Sequence, residues 1–265
     1  MNTYSTSDIA RIIGIHANTV RLYETCGLIS RPERKENGYR VFTDLHLEQF
    51  RLARAALQVE VLQNGLRKRA VQIIMVSAAG NYERAVRLTR EYMIQVDMEI
   101  AHAEEAIGIT KEILSAFDKE SASGKACPGP ETVYTRKEAA RFLGVTIDTL
   151  RNWELNGLFT IKRRENGYRV YTEEDLRRLK IIRSLRCANY SLSAILRMLH
   201  SLSSDPEADI RKVIDTPDEG DDIITACDKL LTSLSEAKKN ACYVAEQIEK
   251  MKKMKPTFNH QASRL

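Results

Sequence analysis

Tyr39 and Arg40 follow an Asn37-Gly38 step, and Tyr168 and Arg169 follow an identical Asn166-Gly167 step. A phenolic hydroxyl beside a planar guanidinium offers hydrogen-bond donors suited to phosphate oxygens. More cations sit just upstream, Arg34 and Lys35 in the first stretch and Arg163 and Arg164 in the second. The chemistry on offer is a non-covalent grip on a polyanion, which would set position rather than make or break bonds. No nucleophile-base pair, carboxylate dyad or glycine-rich phosphate loop accompanies these residues, so no catalytic residue is assigned and no enzyme is expected. The five cysteines, Cys26, Cys127, Cys187, Cys227 and Cys242, include no Cys-x-x-Cys pair, and the histidines are not clustered. No metal site, cofactor or disulfide framework is expected, and the cysteines are expected to be reduced and mostly buried.

Such side chains need a rigid carrier. An Asn-Gly step flanked by β-branched and aromatic residues predicts a tight hairpin closed by a type I′ turn, with positive φ at both central residues. Ahead of each hairpin the signals read helix, turn, helix. Ser5-x-x-Asp8 and Thr135-x-x-Glu138 are capping boxes, and Gly14 and Gly144 stand where a helix ends. A second short helix is expected from about Ala17 to Cys26 and from about Ile147 to Asn156. Two short helices joined by a glycine-containing turn are the signature of a helix-turn-helix. Thr43 and Thr172 then cap a third helix, which in the second copy runs to Arg186 before Tyr190-Ser191-Leu192 opens a fourth. In the first copy Gln63-Asn64-Gly65 replaces that clean cap, with a few residues more.

These matches form a duplication. An offset of 130 aligns Tyr4, Gly14, Arg21, Glu24 and Gly27 with Tyr134, Gly144, Arg151, Glu154 and Gly157; after a one-residue deletion, 129 aligns Arg40 and Thr43 with Arg169 and Thr172. The whole chain of 265 residues carries 41 Lys and Arg against 36 Asp and Glu, a net of +5. The charge is uneven. Residues 2–57 hold eight basic and six acidic side chains, whereas residues 131–200 hold fourteen and eight. No apolar run reaches the roughly 18 residues of a membrane span, and no signal peptide is apparent, so a cytoplasmic protein is expected.

Each copy is followed by a long uninterrupted pattern. Val86, Thr89, Met93, Val96, Ile100, Ala103, Ile107, Thr110, Leu114 and Phe117 recur at 3-4 spacing, as do Ile223, Cys227, Leu230, Leu234, Ala237, Ala241, Val244, Ile248 and Met251. Both predict coiled-coil helices roughly 50 Å long. The linker between them and the second copy, with Gly124, Pro128, Gly129 and Pro130, spans at most about 40 Å. That reach favours antiparallel pairing of the two helices within one chain. The expected organisation is 1–76 first DNA-binding unit, 81–119 first long helix, 120–132 linker, 133–202 second unit, 218–254 second long helix, and 255–265 tail.

In a helix-turn-helix, the start of the second helix faces base edges in the major groove. The candidate readers are Asn18, Thr19 and Arg21 in the first copy and Asp148, Thr149, Arg151 and Asn152 in the second. Asparagine suits adenine, arginine suits guanine, and aspartate either accepts from cytosine or caps its helix. The alternative for Arg21 and Arg151 is an i,i+3 ion pair with Glu24 and Glu154.

The order Ser-x-x-Asp-Ile-Ala-Arg-x-x-Gly, Thr-Val-Arg-Leu-Tyr-Glu-x-x-Gly-Leu, Asn-Gly-Tyr-Arg-Val-Phe-Thr resembles the winged-helix domain of the MerR family of bacterial transcription regulators. The second copy resembles it too, so the chain looks like a tandem member, over residues 4–76 and 134–200. The resemblance implies a mainly α fold of two winged helix-turn-helix domains, each followed by a coiled-coil helix. It also places Tyr23 and Trp153 at the DNA-facing edge, with a packed core aromatic as the alternative. It implies double-stranded promoter DNA as partner and RNA polymerase as an indirect one, through a change in promoter twist. Because the chain carries both halves itself, a monomeric pseudo-dimer is favoured over a homodimer, and because the readers differ it is expected to act on two unlike half-sites. The alternative is a DNA-architectural or recombination accessory protein using the same winged helix.

Overall fold

The chain is described by a computed structural model over residues 2–58, 65–122, 132–163, 167–217 and 225–254. Arg164, the body of the linker, the expected helix start at 218 and the tail 255–265 lie outside the described residues. In chain order the elements are β1 (Thr3–Tyr4), α1 (Thr6–Ile13), α2 (Ala17–Thr25), β2 (Glu33–Arg34), β3 (Arg40–Thr43), α3 (Asp44–Leu57), α4 (Leu66–Ala78) and α5 (Tyr82–Ala122). There follow α6 (Arg136–Leu143), α7 (Ile147–Leu155), α8 (Glu173–Cys187), α9 (Leu192–Ser204), α10 (Ile210–Asp215) and α11 (Leu230–Lys253). The fold is mainly α. Two compact units result, one of residues 1–97 with 234–265, the other of residues 98–233.

In the first unit the Ser5 hydroxyl and Asp8 carboxylate form the expected capping box on α1, and Gly14 ends the helix at φ 71°. The sheet order is β1-β3-β2, antiparallel throughout, with Thr3 opposite Thr43 and Arg34 opposite Arg40. β3 carries Phe42 into a core where it meets Phe50 edge-on at 6.0 Å. Both rings are fully buried, and each contributes about 1.5–3 kcal/mol by leaving water. The hairpin differs from expectation. Lys35 N–H donates to the Tyr39 carbonyl at 2.9 Å and Gly38 N–H to the Lys35 carbonyl at 2.8 Å, which encloses a three-residue loop. Gly38 has φ 79° while Asn37 does not adopt positive φ. The turn is therefore not type I′; the left-handed residue comes third, as in a hairpin closed by a glycine bulge.

The long helices pair antiparallel in this unit. Lys238 Nζ lies 2.6 Å from the Asp97 carboxylate and Lys252 Nζ 2.5 Å from that of Glu83, so the partner number rises as the other falls. The predicted seam is inward, with Thr89, Val96, Ala237, Ala241, Val244, Ile248 and Met251 all buried. Thr89 satisfies its hydroxyl on the Ala85 carbonyl of its own helix at 2.8 Å. The end of α11 also reaches α3, where Lys250 Nζ sits 2.9 Å from the buried carboxylate of Glu48.

In the second unit the capping boxes recur at Thr135 with Glu138 and Thr172 with Asp175. Among its described residues the sheet is reduced to bridges, Tyr134 with Tyr171 and Arg163 with Arg169. Tyr171, Leu150, Leu179, Ile182 and Leu185 are fully buried at its centre. α8 and α9 are separated by residues 188–191, whereas α3 and α4 are separated by 58–65, so the first copy has the longer connection. The second long helix departs from expectation: residues 225–229 are non-helical and α11 begins at Leu230. The reason is a cap from outside the helix. Asp215, at the end of α10, accepts from Leu231 N–H at 2.8 Å and Thr232 N–H at 3.0 Å, so the orphan amides of the first turn are satisfied there. Cys227 is buried just before it, which continues the apolar spacing through a turn. Cys26, Cys187 and Cys242 are exposed, contrary to the expectation of mostly buried thiols, and Cys127 lies outside the described residues.

Candidate nucleic-acid interface

α2 and α7 present the predicted readers on an open face. His16 caps α2 by accepting from Asn18 N–H through Nδ1 at 3.2 Å, and Thr146 caps α7 by accepting from Thr149 N–H at 3.0 Å. Thr146 does the capping, so Asp148 stands free of that task, exposed in the first turn. Thr19 and Thr149 are half-buried, and Asn18, Arg21, Arg151 and Asn152 are exposed. Arg21 donates to Asn18 Oδ1 at 3.0 Å, which preorganises the two as one polar patch. Asn152 Oδ1 accepts from Asn156 at 3.1 Å.

The expected alternative for Arg21, an ion pair with Glu24, is not formed. Glu24 is taken by Arg40, whose Nε donates to its carboxylate, and by Arg34 at 3.5 Å. In the second unit Glu154 receives Arg169 at 2.8 Å and Arg136 at 3.6 Å. Arg40 and Arg169 are thus partly withdrawn from solvent, and each ties its hairpin to the helix that carries the predicted readers. Glu24 and Glu154 were not singled out from sequence for this role; their retention together with Arg40 and Arg169 in both copies was the available signal.

Tyr23 and Trp153 are buried, 7% and 5% exposed. Tyr23 stacks on Phe50 at 5.5 Å, so the ring fixes α2 on α3. The wing tips are the opposite: Tyr39 and Tyr168 are 72% and 74% exposed. Arg34, Lys35 and Arg163 are also exposed. In each unit a cleft opens between the start of the first helix, the start of the second and the hairpin. It is lined by Ser7, Ala17, Arg21, Lys35 and Tyr39 in one and by Lys137, Ile147, Tyr168 and Arg169 in the other. An open cleft walled by hydroxyls, helix amino-termini and cations suits a phosphodiester backbone.

The profile of the MerR HTH family regulatory proteins matches residues 4–73 and again residues 134–202, together more than half of the chain. The chain belongs to the MerR family. It is a tandem member, with the family domain present twice. The HTH-type transcriptional regulator CueR of Escherichia coli O6:H1 is 31% identical over 127 residues, which are 48% of this chain and 84% of that protein. ZntR of Escherichia coli K12, also an HTH-type transcriptional regulator, is 42% identical over 76 residues, 28% of this chain and 53% of ZntR. A probable heavy metal-dependent transcriptional regulator of Haemophilus influenzae is 32% identical over 124 residues, 46% of this chain and 80% of that protein. No solved structure matches the chain significantly. As a MerR-family protein the chain is a DNA-binding transcription regulator, and its double-stranded DNA partner accords with the clefts described above. Among the described residues no group of His, Cys, Asp and Glu could hold a metal ion, and no helix is long and apolar enough to cross a membrane.

Proposed function

We propose that this MerR-family chain works as a one-chain pseudo-dimer on an operator of two unlike half-sites. The observation that supports it best is the antiparallel pairing of α5 with α11 through Asp97–Lys238 and Glu83–Lys252. A single polypeptide thereby supplies both strands of its own coiled coil. Two reader sets that share an arginine, Arg21 and Arg151, but differ at Asn18 against Asp148 and at Leu22 against Asn152 then predict different bases on the two sides. On this reading the domains follow the organisation 1–76, 81–119, 120–132 and 133–202, with the second long helix running from Leu230 to Lys253. Tyr39, Lys35, Tyr168 and the exposed wing arginine Arg163 meet phosphates, while Tyr23 and Trp153 hold the reader helices in place. The operator lies in a promoter, polymerase is influenced through the DNA, and the protein acts in the bacterial cytoplasm. Bending or untwisting the operator costs several kcal/mol, offset by the added contacts.

Solution mass and operator selection test this together. The expected result is a particle of one 30.2 kDa chain that selects, from random DNA, an imperfect palindrome and protects both halves. An obligate two-chain particle, or a perfect palindrome, overturns it. Genome-wide occupancy away from promoters would instead identify an architectural protein.

A further inference from the structure

The two units hold their equivalent glutamates with different second arginines, and this divides the labour between the wings. In the first unit the second partner is Arg34 of β2, which lies 3.5 Å from Glu24 and also donates to the Gly38 carbonyl at 3.3 Å. Arg34 is thereby folded back on its own hairpin. In the second unit the second partner comes from elsewhere, the first residue of α6, with Arg136 3.6 Å from Glu154. The residue equivalent to Arg136 is Thr6, which has no charge to offer Glu24. The residue equivalent to Arg34 is Arg163, which is exposed and makes no ion pair or side-chain hydrogen bond among the described residues. The cleft of the second unit also carries Lys137 where the first has Ser7.

We infer that the second unit is the electrostatic anchor of the pair: Arg136 replaces Arg163 at Glu154, and the released Arg163 binds a DNA phosphate that the tied Arg34 does not. The first unit, with Arg34 tied and Ser7 in the place of Lys137, offers less free charge to the DNA. A guanidinium already bonded to a carboxylate carries little net field toward a polyanion, and it releases no counterion when DNA arrives. A free one does both. Over the matched family domains the second copy is again the more basic, with fourteen basic and seven acidic residues in 134–202 against eleven and seven in 4–73. This inference rests on the half-site reading above.

The experiment is the salt dependence of affinity of the full chain for the duplex it selects from random DNA. Each phosphate contact contributes about 0.9 to the slope of log K against log salt, about a threefold change in affinity over a fourfold change in salt. Arg163→Ala is expected to flatten the slope by about that much and to leave the thermal midpoint unchanged. Arg34→Ala is expected to leave the slope unchanged while lowering the midpoint, since it removes an internal tie. The reciprocal change is Thr6→Arg, which gives Glu24 the partner that Glu154 has. It should release Arg34 and steepen the slope by about 0.9, and the added Arg34→Ala in Thr6→Arg/Arg34→Ala should cancel that gain. Equal flattening by Arg34→Ala and Arg163→Ala, or no steepening by Thr6→Arg, overturns the inference and leaves the half-site reading standing. If the full chain selects no duplex at all, the half-site reading fails and the inference falls with it.

Discussion

Arg169 donates from Nε to the Glu154 carboxylate at 2.8 Å, joining the wing of the second unit to α7, and Arg40 makes the same bond to Glu24 of α2 in the first. The arginine and the glutamate lie 15 residues apart in one unit and 16 in the other. With both side chains less than a quarter exposed, water does little to replace the bond. Glu154→Ala should therefore cost about 1.5–3 kcal/mol locally, the range for a hydrogen bond to a charged group. Hydrogen exchange reads it at Val170, whose N–H donates to the Lys162 carbonyl at 3.2 Å. Faster exchange there with unchanged protection in α8 is expected, and unchanged exchange at Val170 would mean the tie does not hold the wing.

The hairpin loop makes a second, sharper distinction. A substituted Cβ at Gly38 meets nothing within 4 Å, so Gly38→Ala should suffer only from its positive φ, at about 1–2 kcal/mol. Asn37 has no such φ, and its side chain only accepts one exposed bond from Tyr39 N–H at 3.3 Å. Asn37→Ala should thus cost no more than about 0.5 kcal/mol, the scale of ordinary surface substitutions. Equal losses in denaturant titrations of the two variants would favour a type I′ turn after all.

Pairing of the long helices is tested by reversing a charge. Asp97 and Lys238 are about half exposed, 50% and 44%, so solvent screens them and their link is worth only about 0.2–1 kcal/mol. Asp97→Lys should lower the thermal midpoint slightly at low salt, and adding Lys238→Asp should restore it. A double variant no more stable than the single one would place these residues apart.

Stability of the first unit should fall in mild acid. Burial pushes the His46 imidazole below its ordinary 6.5, because the charged ring loses its hydration. The unfolded chain therefore takes up the proton first. Stability is complete above about pH 6.5 and is lost progressively as pH falls toward the lower folded value. His46 Nδ1 accepts from Thr43 N–H at 3.0 Å, the place that Asp175 fills for Thr172. His46→Asp should keep the cap and remove this pH dependence. A variant whose midpoint still falls over the same interval would assign the effect to another group.

Much of the site was legible in the residues because the signals were local. Ser5 with Asp8, Gly14, Thr172 with Asp175, and the repeated Asn-Gly-Tyr-Arg each encode their element within a few positions, and the second copy confirmed that each signal was meant. The seams from Val86 and from Leu230 were legible for the same reason, since periodicity needs only one helix to be read.

What the tertiary structure alone decided concerns residues far apart in the chain. Local signals in the sequence were enough for a duplicated winged helix, its long helices and a hairpin that presents tyrosine and arginine. They did not determine that Glu24 and Glu154 would be claimed by wing arginines, because an i,i+3 partner in Arg21 or Arg151 was equally available on paper. Nor did they place the start of α11 at Leu230, since Asp215, 16 positions away, supplies the cap that no neighbouring residue provides. An ion pair or a cap goes to whichever partner folding brings within about 3 Å, and that distance is set by packing, not by spacing along the chain.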